Sequence, residues 1–365
     1  MMTCLILTLT STALMHSSER NFAESYRQRL LLNAIPTYKY ITHLNPRYSS
    51  SDEHLTPLIR NQTPYLYAKA NAFIDTKGVE MRPFNLSLLA KTRQQDTNLV
   101  VQMMRVNNML LSNNNLRNCS VPFHTTTGRT TNIGPSLSSF KKNLWSEVLN
   151  PAPGYQYVLL DYMNQEPIIS ACLASAHEIQ AIYRQADLYE SMRKHRDLAG
   201  LNRGRIKGML LPYLYGQRSD SYAKEHGIPL AEAQRYWLAL AEIFHLVDQE
   251  LNRRSQLAFK NGFVSCLDWA ARVTPLSAPL SVRNWPVQAT GADILRRAVI
   301  GLVDAGIDLR LTIHDSFLLR VPIAEQEQQI AKAITVLKQA SALVLDGFEL
   351  NVKVDGVFDG QVGVV

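Results

Sequence analysis

The chain has 365 residues, of which 46% are hydrophobic and 19% are charged. This length and apolar content suffice for one large domain or two to three subdomains with a real core, which excludes a wholly disordered chain. No apolar run reaches the roughly 18 residues that a transmembrane helix needs, so we expect no membrane association. The four cysteines lie far apart without a Cys-x-x-Cys pair, which argues against a disulfide framework or a Cys-rich zinc site.

The charge is distributed unevenly along the chain, whose net charge is +7. Residues 1–150 hold 16 Lys and Arg against 8 Asp and Glu, whereas residues 151–365 hold 22 against 23. A basic first half is typical of a protein that binds a polyanion, and nucleic acid is the first such partner to consider. Charge alone leaves open the alternative that the protein is simply basic.

The first half of the chain predicts few regular elements. Residues 1–55 are assigned to an N-terminal extension of uncertain fold. Residues 84–112 space Leu, Val and Met as a helix that packs against a core does. Residues 113–143 are polar and contain several Gly and Pro, which predicts loops.

From residue 155 the pattern becomes that of a mixed α+β protein. Residues 155–163 (YQYVLLDYM) predict a buried strand, and Pro167 fits the first turn of a helix that follows it. Residues 176–260 are mainly helical in pattern, with long amphipathic pieces at 201–216 and 229–259.

The C-terminal part predicts two further helices and three strands. Apolar residues on both sides of His314-Asp315-Ser316 indicate two strands joined by a tight turn within residues 308–321. Helices are predicted at 287–305 and 323–345, and a strand at 349–355.

Two aspartates stand at the ends of apolar strands. Asp161 follows the run VLL, and Asp315 lies at the tip of the predicted hairpin. Burying a carboxylate is unfavourable unless a partner compensates for its desolvation. Two such acids from separate strands could meet around Mg²⁺, and two ions about 3.5–4 Å apart can clamp the attacking and leaving oxygens of a phosphoryl transfer. For either aspartate alone, a turn or cap role is the simpler interpretation.

The helix predicted at 201–216 carries a row of residues on one face, because they follow one another at steps of four. The row consists of Arg203, Lys207, Leu211 and Tyr215. Two cations followed by an apolar and an aromatic side chain suit a nucleoside triphosphate, whose phosphates and base they would contact. Considered alone, the row is more typical of a solvated basic edge.

Five segments together resemble family A DNA polymerases, and they occur in the order in which that family has them. They are Thr127-Gly128-Arg129, Asp161-Tyr162-x-x-x-Glu166, Arg203-x-x-x-Lys207 with Tyr215-Gly216, Asn284-x-Pro-x-Gln288, and His314-Asp315. The set covers about residues 125–322. Each segment alone is weakly specific, but the ordered set is strongly specific.

The resemblance implies a role for each matched residue. Asp161 and Asp315 would be the catalytic residues that hold two Mg²⁺ ions, with Mn²⁺ as an alternative cofactor. The residues that would bind the incoming deoxynucleoside triphosphate are Arg203, Lys207, Leu211, Tyr215, Glu166 and Tyr162, and Glu166 among them would exclude the ribose 2′-hydroxyl. The residues that would contact primer–template DNA are Arg129, Asn284, Gln288 and His314. Every base pair has minor-groove acceptors, so contacts there can test pair shape without reading sequence.

Several positions depart from the family pattern, and three of them bear most directly on the expected chemistry. Leu211 stands where the family has a large aromatic that stacks on the incoming base, and Ser316 stands where it has a further acid. Pro212 lies in mid-helix and has no N–H to bond backward, which predicts a kink or break there. These departures affect the expected rate, fidelity and sugar selection more than the reaction class.

The resemblance implies an α+β right-hand polymerase fold with an antiparallel palm sheet, helical fingers and a reduced helical thumb. The expected layout is a thumb-like region at 56–120, a palm at 121–182 and 281–365, and fingers at 183–280. The first 120 residues contain seven acids and no Asp-x-Glu pair, so we expect no proofreading 3′–5′ exonuclease. We expect a monomer in the cytoplasm, in a bacterial, plasmid or phage context.

The sequence therefore predicts a template-directed DNA polymerase, and two alternatives stay open. A single-subunit phage-type RNA polymerase relative would also fit the segment His314-Asp315-Ser316 and the Arg–Lys helix, although Glu166 argues against it. A catalytically inactive descendant that only binds nucleic acid is the third hypothesis. The presence of both aspartates argues against that one, because a binding module gains nothing from buried acids.

Overall fold

The structure is a computed structural model that describes residues 63–93, 96–111, 114–132 and 134–361. The extension assigned to residues 1–55 lies outside the described residues. The described helices are α1 (Thr63–Lys77), α2 (Leu86–Arg93), α3 (Thr97–Leu110), α4 (Trp145–Val148), α5 (Gln165–Leu173), α6 (His177–Gln185), α7 (Leu188–Met192), α8 (Arg203–Leu214), α9 (Ser219–His226), α10 (Leu230–Ile243), α11 (His245–Asn261), α12 (Pro279–Asp304) and α13 (Gln326–Val344). The described strands are β1 (Val79–Glu80), β2 (Asn115–Leu116), β3 (Ser120–Val121), β4 (Thr131–Asn132), β5 (Tyr155–Tyr162), β6 (Phe263–Ser265), β7 (Ala270–Arg272), β8 (Leu309–Ile313), β9 (Ser316–Pro322) and β10 (Val352–Phe358).

A four-stranded antiparallel sheet in the order β10-β5-β9-β8 forms the centre of the fold. Strand β5 lies between β10 and β9, and its apolar run is typical of a strand whose two faces are both buried. Tyr157 and Leu159 point to one apolar cluster, while Val158 and Leu160 point to another. The sheet is therefore covered on both sides.

The two faces of the sheet are covered by different parts of the chain. On one face, Met103 and Val106 of α3 join the cluster that contains Tyr157 and Leu159. On the other face, the long helix α12 packs against α13, α1, α11 and α5. Within the described residues, no helix is both long and apolar enough to cross a membrane.

Most predicted elements are present, with differences in their bounds, of which three are the largest. The helical pattern at 84–112 is two helices, α2 and α3, and Asp96 caps the second of them by accepting a hydrogen bond from the Leu99 N–H at 2.9 Å. The piece at 229–259 is likewise divided, at Phe244. The helix predicted at 287–305 begins earlier, at Pro279.

Two prolines lie inside helices without ending them. Of the kink or break predicted at Pro212, the break does not occur, because α8 continues to Leu214, and α12 likewise runs through Pro286. A helix can tolerate the lost backbone hydrogen bond when tertiary packing holds the turns on either side. Met209, Leu210, Tyr213 and Leu214 are buried around Pro212 and provide such packing.

Candidate active site

The central sheet brings Asp161 and Asp315 to the same end. Asp161 is the penultimate residue of β5, and Asp315 belongs to the two-residue turn between β8 and β9. Asp161 is in register with Ser316, the residue that follows Asp315. The Tyr162 N–H also donates to the Asp315 carbonyl at 3.4 Å. Strand pairing alone therefore places the two acids side by side.

Two residues in left-handed conformation make the turns that end these strands. His314 has φ of 54° in the β8–β9 turn, and Asn164 has φ of 52° between β5 and α5. Asparagine tolerates this region better than most residues, so the chain can pass from strand to helix within two residues. Helix α5 then starts at Gln165, which carries Glu166 back beside Asp161.

A buried ionic network holds the loop that carries Arg129. Gly128 has φ of +72°, and a Cβ there would lie 2.8 Å from the Trp269 ring, so only glycine fits. The Gly128 carbonyl accepts a hydrogen bond at 2.9 Å from Arg296, which is 1% exposed and ion-paired with Asp268 and Asp293. This fixed loop directs the Arg129 guanidinium toward Glu166.

Glu166 connects three parts of the site. One carboxylate oxygen lies 2.8 Å from the Arg129 guanidinium, and the other accepts a hydrogen bond from the Tyr215 hydroxyl. Burial and the neighbouring Glu166 raise the pKa of Tyr215 well above its ordinary value, so this phenol stays protonated as a donor. The contact closes the space between α5 and the end of α8.

The predicted row on α8 does face one cavity. All four of its residues line the same cavity as the two aspartates. Arg203 is ion-paired with Asp187 at 2.7 Å, and its guanidinium stacks on the Tyr189 ring, 5.1 Å from the centroid. Lys207 is exposed and has no ion pair among the described residues. It is thus available for an anion.

The cavity has a volume of about 540 Å³, which is ample for a nucleotide-sized ligand. Its lining is acidic at the end of the sheet and basic along α8. The lining residues that the sequence predicted are Arg129, Asp161, Tyr162, Glu166, Arg203, Lys207, Leu211, Tyr215, His314 and Asp315.

The acidic end carries more negative charge than its protein neighbours neutralise. Burial, together with the nearby Asp161 and then Glu166, raises the pKa of Asp315 to about 7, and Arg129 opposes this only in part. A carboxyl group in such surroundings gains most from a cation that approaches it directly.

The two aspartates are suitable ligands for a divalent cation. Magnesium usually binds through one or two carboxylates plus water and substrate phosphate, rather than in an all-protein cage. Among the described residues, no group of three or more His, Cys, Asp or Glu side chains forms a metal cage. Asp161 and Asp315, with the excess negative charge around them, fit the more open type of site.

Three predicted site residues occupy positions that differ from the expectation. The Tyr162 ring is buried, and its hydroxyl donates to the Leu337 carbonyl at 2.5 Å, so its side chain packs into the core although the residue lines the cavity. Asn284 does not line the cavity, and it donates instead to the Tyr215 carbonyl at 3.0 Å. Gln288 hydrogen-bonds the Tyr215 side chain. In this structure, Asn284 and Gln288 thus support Tyr215.

Sequence reasoning missed several residues at the cavity. Lys353 of β10 lies 3.2 Å from Asp161, and Asp187 and Tyr189 hold Arg203. The predicted strand at 349–355 contains Lys353, but nothing in the sequence states that this strand is the neighbour of β5. Asp187 could have been found as a cap, because it precedes a short helix and accepts from the Glu190 N–H.

Residues 88–357 match the sequence profile of DNA polymerase family A. Because this match covers well over half of the chain, the protein belongs to that family. The motifs read from the sequence, Asp161 through Asp315, all lie within the matched range.

Individual relatives are distant and longer. A DNA polymerase of Mycobacterium phage L5 is 27% identical over 205 residues, which is 55% of this chain and 34% of the phage protein. DNA polymerase I of Deinococcus radiodurans is 25% identical over 245 residues, or 60% of this chain and 25% of that protein. The chain thus spans about a third or less of the length of these curated relatives.

A solved structure shares the fold. The polymerase domain of Pol1 from M. smegmatis, in complex with DNA primer–template and dNTP, superimposes with a TM-score of 0.61 at 20% identity. The match covers 75% of this chain and 55% of that one. It establishes a family A polymerase fold of mixed helix and sheet.

Proposed function

We propose that the chain is a template-directed DNA polymerase that adds deoxynucleotides to a primer 3′ end by two-metal-ion phosphoryl transfer. The observation that carries this proposal is the convergence of Asp161 and Asp315 at one end of the sheet, opposite Arg203 and Lys207 across a single cavity. Acids and cations that face each other across a cavity of nucleotide size suit a substrate that carries both metal ions and phosphates.

Each side of the cavity has a task in this reaction. Asp161 and Asp315 hold the divalent ions, which when bound polarise the reacting phosphoryl group and neutralise charge on it. Lys207 and Arg203 bind and orient the triphosphate, and Arg203 exchanges its ion pair with Asp187 for a phosphate. Leu211 and Tyr215 border the base, so that the protein contributes mainly positioning and electrostatics.

Glu166 closes the sugar end of the cavity. Its carboxylate is held by Arg129 and Tyr215, so it forms a fixed wall with negative charge. A ribose 2′-hydroxyl placed against such a wall would collide with it, whereas a deoxyribose would not. We assign sugar selection to this residue.

The partners that follow are primer–template DNA and deoxynucleoside triphosphates. The proposed DNA contacts are Arg129 and His314, which line the cavity, and Asn284 and Gln288, which hydrogen-bond Tyr215. The layout stays as proposed from the sequence: thumb-like helices at 56–120, palm at 121–182 and 281–365, and fingers at 183–280. We further propose that the protein acts as a monomer in the cytoplasm, in a bacterial, plasmid or phage setting, and that residues 1–120, with seven acids and no Asp-x-Glu pair, do not supply a proofreading site.

Primer extension on a defined template tests the proposal. The labelled primer is incubated with Mg²⁺, with Mn²⁺ or with EDTA, and with either deoxy- or ribonucleotides. We expect metal-dependent extension with deoxynucleotides and retention of a mismatched 3′ end. A preference for ribonucleotides would favour the RNA polymerase alternative, and duplex binding without extension would favour the inactive one.

A further inference from the structure

Asp161 lies between two side chains on the neighbouring strands. On β9, the Ser316 hydroxyl donates to Asp161 Oδ1 at 2.7 Å. On β10, Lys353 is the direct register partner of Asp161, and its Nζ lies 3.2 Å from Oδ2. Both carboxylate oxygens are therefore engaged by protein groups, and one of these groups is a cation.

Lys353 has a second, nearer acid. Its Nζ lies 2.6 Å from Asp355 Oδ1, two residues along the same strand. Asp355 is held in turn by Lys142, whose Nζ lies 2.6 Å from the other carboxylate oxygen. Lys353 is partly exposed and lines the cavity, so its ammonium group can leave Asp161 while keeping Asp355.

We propose that Lys353 is a positioning residue that occupies Asp161 Oδ2 in the metal-free protein and moves fully onto Asp355 when a divalent ion binds. The inference rests on the proposed function, in which Asp161 is a metal ligand. Two positive charges cannot share one carboxylate oxygen without repulsion. Lys353 thereby raises the divalent-ion concentration that the site requires, while Ser316 keeps Oδ1 oriented.

Direct measurement of Mn²⁺ binding tests this role without relying on catalysis. The signal of free Mn²⁺ is followed by electron paramagnetic resonance during titration of the full chain, with neither nucleotide nor DNA present. We expect Lys353→Met to bind Mn²⁺ roughly three- to tenfold more tightly than the unaltered protein, from the loss of one nearby positive charge. Lys353→Arg keeps that charge and should bind as the unaltered protein does.

Substitution of Asp355 provides an independent test of the proposal. Asp355→Asn removes the alternative partner, leaves Lys353 on Asp161, and should weaken Mn²⁺ binding. In the Lys353→Met background the same change should have little effect, because the lysine through which Asp355 acts is gone. Equal weakening in both backgrounds would mean that Asp355 acts by its own charge, and would overturn the proposal.

Controls separate this inference from the proposed function. Lys332→Met removes a lysine of α13 that donates a hydrogen bond to the Ala305 carbonyl at the end of α12, and it should leave Mn²⁺ affinity unchanged. If Asp161→Asn does not reduce Mn²⁺ binding, the proposed metal site itself fails. If binding depends on Asp161 but Lys353→Met binds no more tightly, only the role of Lys353 fails. Melting temperatures in EDTA confirm that each variant is folded.

Discussion

The Tyr215 hydroxyl donates a hydrogen bond to the Glu166 carboxylate, and this contact joins the end of α8 to the start of α5. The same carboxylate is ion-paired with Arg129 at 2.8 Å. Glu166 therefore joins α8, through Tyr215, to the loop that carries Arg129, beside the acidic end of the sheet. Because the proposed sugar wall depends on this junction, both partners of the contact can be tested.

Glu166→Ala should reduce the discrimination between deoxy- and ribonucleotides by roughly tenfold or more, because the wall against the 2′ position is removed. Tyr215→Phe should reduce it less, since Glu166 keeps its ion pair with Arg129 but loses its second anchor. The measurement is kcat/KM for each nucleotide type in single-nucleotide extension. Unchanged discrimination in Glu166→Ala would mean that this residue is only a structural acid.

Asp161→Asn and Asp315→Asn should each lower primer extension by at least roughly 10²–10³-fold. Each change removes a proposed metal ligand, but the amide keeps nearly the same volume. Duplex binding should be unchanged or tighter, because one negative charge near the DNA is lost. Filter binding at fixed salt measures it. Extension that survives either change would rule out the two-metal assignment.

Lys207→Ala should raise the nucleotide KM or lower kcat/KM by roughly 10- to 100-fold, since a charge-assisted hydrogen bond contributes about 1.5–3 kcal/mol. Lys207 lines the cavity and has no ion pair among the described residues, so it is ready to meet a phosphate. Lys224→Ala, in the neighbouring helix α9 but outside the cavity lining, is the matched control. If steady-state kinetics show equal values for both variants, the triphosphate binds elsewhere.

The parts of the site that local sequence determines were predictable, whereas strand order was not. The row on α8 follows from helical periodicity, and its four residues do face one cavity. The hairpin that carries Asp315 follows from apolar residues around a short turn. Lys353 reaches Asp161 only because β10 is the edge strand beside β5, and that pairing depends on the packing of the whole chain.

Tertiary contacts also decide features that local rules and motifs leave open. Pro212 was expected to kink or break α8, and no break occurs, since the buried side chains around it hold the helix to Leu214. Tyr162 was assigned to the nucleotide from its position in a motif, and this assignment stays a prediction, because its ring is buried and its hydroxyl donates to the Leu337 carbonyl. A motif fixes the residue type, whereas the direction of the side chain depends on the neighbouring helix.

Asp75 provides a prediction about stability rather than activity. It is buried in α1 and accepts hydrogen bonds from the Ser120 N–H and hydroxyl, both at 2.9 Å. Burial raises the pKa of this carboxyl from 3.8 to about 7, although the Ser120 hydrogen bonds oppose the shift. The folded protein therefore binds this proton more tightly than the unfolded chain does. Its stabilising effect is complete below about pH 4 and is lost as the pH rises through about 7.

Asp75→Asn should remove that pH dependence. The free energy of unfolding of the unaltered protein should decrease between about pH 5 and pH 8. In the variant this decrease should be smaller by roughly 1–3 kcal/mol. Urea denaturation in EDTA at several pH values measures it. Asp293 and Asp315, whose pKa values are also raised by burial, should contribute to the slope that stays in the variant. Asp96→Asn, at an exposed helix cap, is the control, and equal slopes for both variants would contradict the prediction.

Leu211→Phe should strengthen nucleotide binding. Leu211 lines the cavity one turn beyond Lys207, where the base of a bound nucleotide would lie. A leucine contacts the base by dispersion only, whereas a phenyl ring can stack on it, and stacking contributes about 1–3 kcal/mol per base. Since leucine already supplies part of that contact, we expect a gain of about 1 kcal/mol, or roughly a fivefold lower nucleotide KM.

The gain should be similar for all four deoxynucleotides, because every base has a face on which a ring can stack. Single-nucleotide extension on four templates measures it. Leu211→Met is the matched control, since methionine keeps the flexible apolar volume without a ring. Tighter binding by both variants would indicate that side-chain volume, and not stacking, limits affinity. An unchanged KM in Leu211→Phe would show that the base does not lie against this turn of α8.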